Sequence, residues 1–274
     1  MVKRPAIESF VVTCEHGGNR IPEPCRRLFR DQRALLDSHR GYDAGALVMA
    51  NALAGAFAAP LIASTISRLV IDLNRSIGHP QLFSPATRAA PSELRTKIVA
   101  QYYRPYRMEV ERLVRQSVAR RRRIIHISSH SFTPELNGKV RRADVGLLYD
   151  PARQREVDLC ARWKASLGMI APHIRVRRNY PYAGKGDGLT SALRVSFPGR
   201  AYIGIELEVN QKIVLAAGRR WTLLRRALID SLRMACAGSA RRGERPASRD
   251  GAKCISPICG ASSARRRAAV TGES

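Results

Sequence analysis

The sequence predicts an α/β fold of three layers, a mostly parallel central sheet with helices on both faces. Three observations lead there. Short apolar runs alternate along the chain with longer stretches of helical periodicity. Hydrophobic residues make up 45% of the 274, enough to bury a sizeable core. Polar, chemistry-bearing residues collect where the apolar runs end, and open parallel sheets bind ligands beyond those ends.

The elements follow in order. Residues 8–14, ESFVVTC, read as a buried strand that stops at EHGGN, where two glycines free the backbone for a sharp turn. Asp31 is placed to cap a short helix running to Ser38. Residues 42–59 are Ala-rich and helical, and Pro60 ends them. LIASTI (61–66) reads as a strand, followed by SRLVIDLNRS as a loop or strand. Residues 92–120 read as helix, with Tyr106, Val110, Leu113 and Val114 on one face and Pro105 kinking or splitting it. RRIIHIS (122–128) is the next strand and DVGLLYD (144–150) another. A helix over 152–167 aligns Cys160, Trp163 and Leu167. HIRVRRN reads as a strand, YPYAGKGDGLT as a loop, and AYIGIELEVN as a strong strand. The last helix, 220–236, puts Trp221, Leu224, Leu228 and Leu232 on one side. Beyond Cys236 the chain turns to Ala, Ser, Gly, Pro and Arg. The expectation is one domain over 1–236 and a disordered Arg/Ala/Ser-rich tail over 237–274.

Composition excludes several classes. No run of about 18 apolar residues exists, so no membrane-spanning helix is expected. The first ten residues, MVKRPAIESF, lack the apolar stretch of a signal peptide. Six scattered cysteines without a CxxC pair fit a reducing cytoplasm. The net charge of +26 invites a nucleic-acid reading. The positive residues are nevertheless spread along the chain, with short runs at 120–123, 175–178 and 265–267 and no aromatic interleaving. Solvated surface charge explains them better than a nucleic-acid partner. GKGDG (184–188) resembles a phosphate loop only loosely, since no helix clearly follows it, and neither GxSxG nor HExxH occurs.

Four segments bring polar groups to strand ends. The first strand delivers Glu15 and His16, and the segment after Ile66 delivers Arg68, Asp72, Asn74 and Arg75. IIHI leads to His130, and the late strand carries Glu206 and Glu208. Two histidines and a carboxylate on one rim suit a catalytic metal with one open position, and a further carboxylate suits a general base. Each also has a plain structural reading. A lone turn histidine often only bonds its neighbours, Asp43 is placed to cap a helix, and Glu206 and Glu208 share a strand face that solvent could wet.

Six stretches taken together resemble the N-formylglutamate amidohydrolase family. They are TCEHGGNRIP (13–22), HRGYDAGA (39–46), SRLVIDLNRS (67–76), HISSHSFTP (126–134), RRADVGLLYD (141–150) and GIELEVNQ (204–211). The resemblance implies a fold similar to the zinc carboxypeptidases. It also implies hydrolysis of the N-acyl amide of an anionic amino acid, releasing formate and glutamate in the type reaction. It assigns His16 and His130 as metal ligands, with Asp43 first and Glu15 second for the third position, because Asn19 stands where carboxypeptidases place a glutamate. The ion would be one Zn2+, although two histidines and a carboxylate also suit iron or manganese. Asn74 and Arg75 resemble the pair that grips a substrate carboxylate, Arg68 would polarise the scissile carbonyl, and Glu208 or, second, Glu206 would be the base. Arg141, Arg142 and residues 180–190 would complete the pocket. The rival reading is a non-catalytic basic protein of the same fold with an acidic partner such as RNA. The acyl group, the amino acid and the oligomeric state are not readable from the sequence.

Overall fold

The structure is a computed structural model that describes residues 8–216 and 218–241. Its strands are β1 (Glu8–Cys14), β2 (Leu61–Ala63), β3 (Arg123–Phe132), β4 (Glu135–Leu136), β5 (Lys139–Val140), β6 (Val145–Leu148), β7 (Val176–Arg178) and β8 (Tyr202–Asn210). Six of them form one sheet in the order β2-β1-β3-β8-β6-β7, while β4 and β5 pair as a separate hairpin. The helices are α1 (Arg33–Leu36), α2 (Ala46–Ala56), α3 (Pro85–Arg88), α4 (Ser92–Ile98), α5 (Arg104–Ala119), α6 (Gln154–Ile170), α7 (Leu189–Ser196), α8 (Gln211–Leu215) and α9 (Gly218–Arg241). Among the described residues no helix is long and apolar enough to cross a membrane.

Successive strand residues point to opposite sides of the sheet, so one sheet serves two cores. Val12, Ile125, Ile127, Ile205 and Leu207 meet Met49 of α2, Trp163 of α6 and Leu228 of α9. On the other face Val11 and Ile124 meet Tyr106, Val110 and Val114 of α5, with Leu189 and Leu193 of α7. The three layers are those the sequence predicts. Trp163 is fully buried, and its indole N–H donates to Ser231 Oγ at 3.0 Å, which fixes α6 against α9 without leaving a polar atom unmet.

Several elements differ from the sequence expectation, each for a local reason. The strand ending in IIHI runs on to Phe132, because β8 continues beside it and pairs residue by residue up to Phe132 with Asn210. The segment 128–132 is therefore part of the sheet. Strand β6 is antiparallel to β8, and β7 follows β6, so two of the six strands run against the rest. The helix over 92–120 divides into α4, a π-helical turn over Val99–Tyr103, and α5. Pro105 sits in the first turn of α5. It has no N–H to return to the preceding turn, and the wider π turn absorbs the missing bond. LIASTI pairs only over Leu61–Ala63, with a single further bridge between Ile66 and Arg20. A helix, α7, does follow GKGDG. Asp31 caps nothing, since the N-cap of α1 is Gln32. The last helix runs to Arg241, and the rest of the expected tail, 242–274, lies outside the described residues.

Glu156 of α6 is fully buried and ties three elements together. It accepts from Arg194 Nε of α7 at 3.0 Å, from the Gly204 amide of β8 at 3.0 Å and from the Asp150 amide at 2.9 Å. Arg194, itself buried, also donates to the carbonyls of Gly184 and Gly204. Replacing one partner strands the other charge away from water. Glu156→Ala should cost about 3–5 kcal/mol, about 10 °C in a domain of this size. Thermal unfolding followed by circular dichroism checks this, and a shift within scan error would refute it.

Candidate active site

The first anchor is the turn after β1. Residues 17 and 18 pass hard against the neighbouring chain, where a Cβ on Gly17 would meet Ser64 O at 2.8 Å. The Gly17 amide donates to that same oxygen at 2.9 Å. Glycine is required there, and the tight passage aims Glu15 and His16 inward. The second anchor is the approach to α2. Gly45 holds a left-handed φ of 76° and its Cα faces Val214, which a side chain would strike at 2.3 Å. Asp43, two residues earlier, donates its backbone amide to His16 O at 2.9 Å. Its carboxylate does not cap α2, whose N-cap residue is Gly45 with no side-chain cap. It points at the histidines instead.

Asp43 Oδ2 lies 2.9 Å from His130 Nδ1 and 3.4 Å from His16 Nδ1. The two rings stand 5.1 Å apart between centroids. One potential ligand atom from each of His16, Asp43 and His130 lies within 4.8 Å of the others, and among the described residues this is the group of three that could hold a metal ion. The far nitrogens are also met. His16 Nε2 is 2.7 Å from Asp72 Oδ1. His130 Nε2 is 3.0 Å from Glu15 Oε2 and 2.8 Å from Ser128 Oγ. Of the two carboxylates considered for a third ligand, Asp43 thus sits between the imidazoles and Glu15 sits behind one of them. Glu15 is further held by hydrogen bonds from Tyr106 OH at 2.8 Å and Ser128 Oγ at 2.6 Å. Arg68 spans two acids, with Nη1 3.3 Å from Asp43 Oδ1 and Nη2 2.7 Å from Asp72 Oδ2.

Glu15, His16, Asp43, Asp72, His130 and Glu208 are each at most 5% exposed. Burial alone would drive all of them neutral, so their partners decide. For Glu15 burial is overcome by the hydrogen bond and charge of His130, with Ser128 adding, and its pKa falls far below the carboxylate range. Asp43 and Asp72 are likewise held low against burial, by His16 and His130 in the first case and by Arg68 and His16 in the second. Burial and Arg68 oppose charge on His16, yet Asp72 and Asp43 raise its pKa. His130 is raised more strongly, against burial, by Asp43 and Glu15. Glu208 goes the other way. Burial, with Asp43 and Glu206 nearby, pushes its pKa up to about 8, and its Oε2 has no hydrogen-bond partner.

The strand register explains that position. Glu208 is paired with His130 across β8 and β3, and Glu206 with Ser128. Glu206 is less buried and its Oε1 accepts from Thr190 Oγ1 at 2.7 Å. Asn74 Oδ1 accepts the Leu189 amide at 2.7 Å, and its NH2 makes no hydrogen bond among the described residues. Arg75 donates through Nη1 to Asp187 O at 3.0 Å. Arg142 is exposed and its side chain makes no hydrogen bond within the described structure, whereas Arg141 lies over the Phe132 and Tyr182 rings. Two members of the site were passed over in the sequence. In the sequence Asp72 stands at a strand end without an evident role, and the helical periodicity marks Tyr106 only as a core residue. The Asp72 signal was its place two residues before Asn74, which lets its Oδ1 also take the Asn74 amide at 2.9 Å.

The family model described as N-formylglutamate amidohydrolase matches residues 8–215. The fold is similar to the crystal structure of a gene product from Agrobacterium tumefaciens, at a TM-score of 0.74 and 25% identity over 86% of this chain and 93% of that one. It is also similar to an N-formylglutamate amidohydrolase from Ralstonia eutropha JMP134, at a TM-score of 0.58 and 21% identity over 87% of this chain and 96% of that one. A metallo-carboxypeptidase from Burkholderia cenocepacia matches at a TM-score of 0.33 and 12% identity over 88% and 58%, too distant to inform the site. No curated protein sequence matches the chain. The matched residues contain all four segments that meet at the His16–Asp43–His130 cluster, and the chain belongs to the N-formylglutamate amidohydrolase family.

Proposed function

We propose that the protein is a metal-dependent amidohydrolase that cleaves the N-acyl amide of an anionic amino acid, with N-formylglutamate as the first substrate to test. One observation carries this reading. Two imidazole nitrogens and a carboxylate oxygen converge beside a second buried carboxylate, Glu208, that has an oxygen without a partner. The donor set fits a divalent cation. With both imidazoles neutral, the carboxylates of Glu15, Asp43 and Asp72 face one guanidinium, Arg68, and two negative charges stay uncompensated. Two protons can balance them, and so can one ion of charge two.

His16, Asp43 and His130 would hold the ion, and zinc is the first choice for two nitrogens and an oxygen. Bound there, it would supply Lewis acidity to the scissile carbonyl and make water acidic enough to attack near neutral pH. Asp72 and Glu15 hold the far nitrogens of the two histidines, fixing ring orientation and tautomer so that Nδ1 keeps its lone pair for the ion. Glu208 takes a proton from the attacking water and returns it to the leaving nitrogen. A carboxylate with a raised pKa is suited to hold a proton between those two events. Arg75 and the Asn74 amide receive a substrate carboxylate, and the pinning of Arg75 to Asp187 and of Asn74 to Leu189 keeps both in place. Arg68, with its side chain 28% exposed at the solvent side of Asp43, faces the developing oxyanion.

Purified protein should hydrolyse N-formylglutamate and carry close to one equivalent of metal by elemental analysis. Loss of metal without loss of turnover would sink the reading. Glu208→Gln should keep the metal and lower kcat by about 10²-fold or more. A Glu208→Gln enzyme as fast as the parent would pass the base role to another residue. Glu15→Gln should lower metal affinity by about 10–100-fold, because it loosens the ring orientation of His130 and removes one of the negative charges the ion answers. Competition with a chromophoric chelator measures this. Affinity should also be weaker at pH 6 than at pH 8, since the ion displaces protons from the two imidazoles.

A further inference from the structure

The segment 179–188 is anchored at both ends to an arginine. Near its start the Tyr182 hydroxyl accepts from Arg141 Nη1 at 3.1 Å, and the Tyr182 ring lies 5.1 Å from that guanidinium. The Phe132 ring, two residues beyond His130 on the same face of β3, lies 5.9 Å from it. Near the end of the segment Asp187 O accepts from Arg75, and the Asp187 carboxylate accepts from the Ser76 amide at 3.0 Å. At the head of the segment Asn179 Oδ1 accepts the amides of Tyr149 and Gly184, which ties the start of the segment to its middle and to the chain beyond β6.

Neither Arg75 nor Arg141 is ion-paired to a carboxylate among the described residues, whereas Arg68, Arg123, Arg153, Arg175 and Arg194 all are. Arg141 also belongs to the same neighbourhood as the cluster. Burial, then the positive charges of Arg40, Arg141 and Arg68, hold the His39 pKa below its ordinary value. A guanidinium placed against aromatic rings is partly stripped of water and fixed in direction, yet its N–H edge stays open. Such a group suits a carboxylate better than an exposed arginine whose side chain makes no hydrogen bond, such as Arg142. Arg141 is thus a fixed and unpaired guanidinium in the neighbourhood of the cluster, and Arg75 is another, held near the far end of the same segment.

We infer that Arg141 is a specificity-determining residue, receiving a second carboxylate from the side chain of the substrate while Arg75 and Asn74 hold the first. This rests on the amidohydrolase reading above and deepens it. The site would select dianionic N-acyl amino acids over monoanionic ones of the same shape. An uncharged amide in the second position cannot make the paired, charge-assisted contact, and the guanidinium would be left facing a poor acceptor.

The test compares N-formylglutamate with N-formylglutamine, its uncharged isostere, in the metal-loaded enzyme. Arg141→Gln should lower kcat/KM for N-formylglutamate by about 10²-fold and for N-formylglutamine far less, so that the preference collapses. Tyr182→Phe removes only the hydroxyl that orients Arg141 and should reduce the preference by a few-fold, which guards against a misfolded Arg141 variant. Calorimetric binding of glutarate against butyrate reports the same subsite without turnover. If the parent hydrolyses neither amide but binds glutarate at least tenfold tighter than butyrate, and Arg141→Gln abolishes the difference, the subsite stands and the amidohydrolase reading fails. If turnover occurs but Arg141→Gln slows both amides equally, or glutarate and butyrate bind alike, the inference is overturned and the amidohydrolase reading survives. No turnover together with no glutarate preference overturns both.

Discussion

Everything at this site depends on one shared atom, Asp43 Oδ2. It lies within 3.4 Å of both histidine Nδ1 atoms and also of the Ser131 amide. A carboxylate with this little exposure is tolerable only if its charge is answered at short range. The carboxylate and its partners come from four separate stretches of chain. His16 follows β1, Arg68 lies in the segment after β2, His130 and Ser131 lie on β3, and Asp43 itself precedes α2. Backbone bonds fix those stretches relative to one another, for example Ser67 Oγ to Gly41 O at 2.9 Å. None of the four can shift alone without stranding a buried charge. The site is thereby tied to the central strands β1, β3 and β8 rather than to an edge of the sheet.

A comparison within β3 shows how the same residue type acquires two natures. His126 and His130 point to the same face, four residues apart, and both are buried. His126 lies between hydroxyls, Thr13 Oγ1 at 2.9 Å and Tyr202 OH at 2.7 Å. Those neighbours carry no full charge, burial dominates, and its pKa falls to about 4. His130 has two carboxylates against its two nitrogens and its pKa rises instead. The polar seam thus grades from a neutral hydrogen-bonded interior, which only fills space and aligns strands, to a charged rim where chemistry is possible. On the opposite face of the strand Ile125 and Ile127 pack into the apolar core, and Ser129 and Ser131 beyond them donate to the carbonyls of Ala46 and Ala44.

The sequence made the elements and the histidines legible because both leave local marks. Apolar runs and helical periodicity are properties of ten or twenty neighbouring residues, and strands β1, β3 and β8 were readable on that basis. The antiparallel direction of β6 was not, since nothing inside VGLL distinguishes one direction from the other and only its partner β8 does. The continuation of β3 through residues 128–132 was hidden for a similar reason. Ser-rich segments read as loop, and here β8 supplies the pairing that keeps them extended. At the site, Asp43 looked equally like a helix cap, because local pattern cannot see that Gly45 takes the cap and turns the carboxylate away. Local pattern likewise does not separate Glu206 from Glu208, and the preference for Glu208 rests on the family resemblance. Both share a strand face, and only Thr190, brought in by α7, separates the hydrogen-bonded one from the one left with a bare oxygen.

The surplus of arginine looked, in composition, like surface charge. Much of it is instead structural. Six guanidiniums lie over aromatic rings among the described residues, Arg141 over two of them, a use that lysine cannot reproduce because it lacks the plane. Arg153 goes further. It donates to the carbonyls of Gly199 at 3.0 Å and Tyr202 at 2.9 Å and reaches Glu156 at 3.3 Å, closing the turn that feeds β8. That turn sets where β8 begins. The start of β8 sets its register on β3, and the register puts Glu208 opposite His130. A one-residue slip would exchange Glu208 for Leu207 or Val209 at the cluster and move the carboxylate into the apolar core. The positive charge that seemed to ask for an outside partner is thus spent, in part, on holding an acid in place beside two histidines.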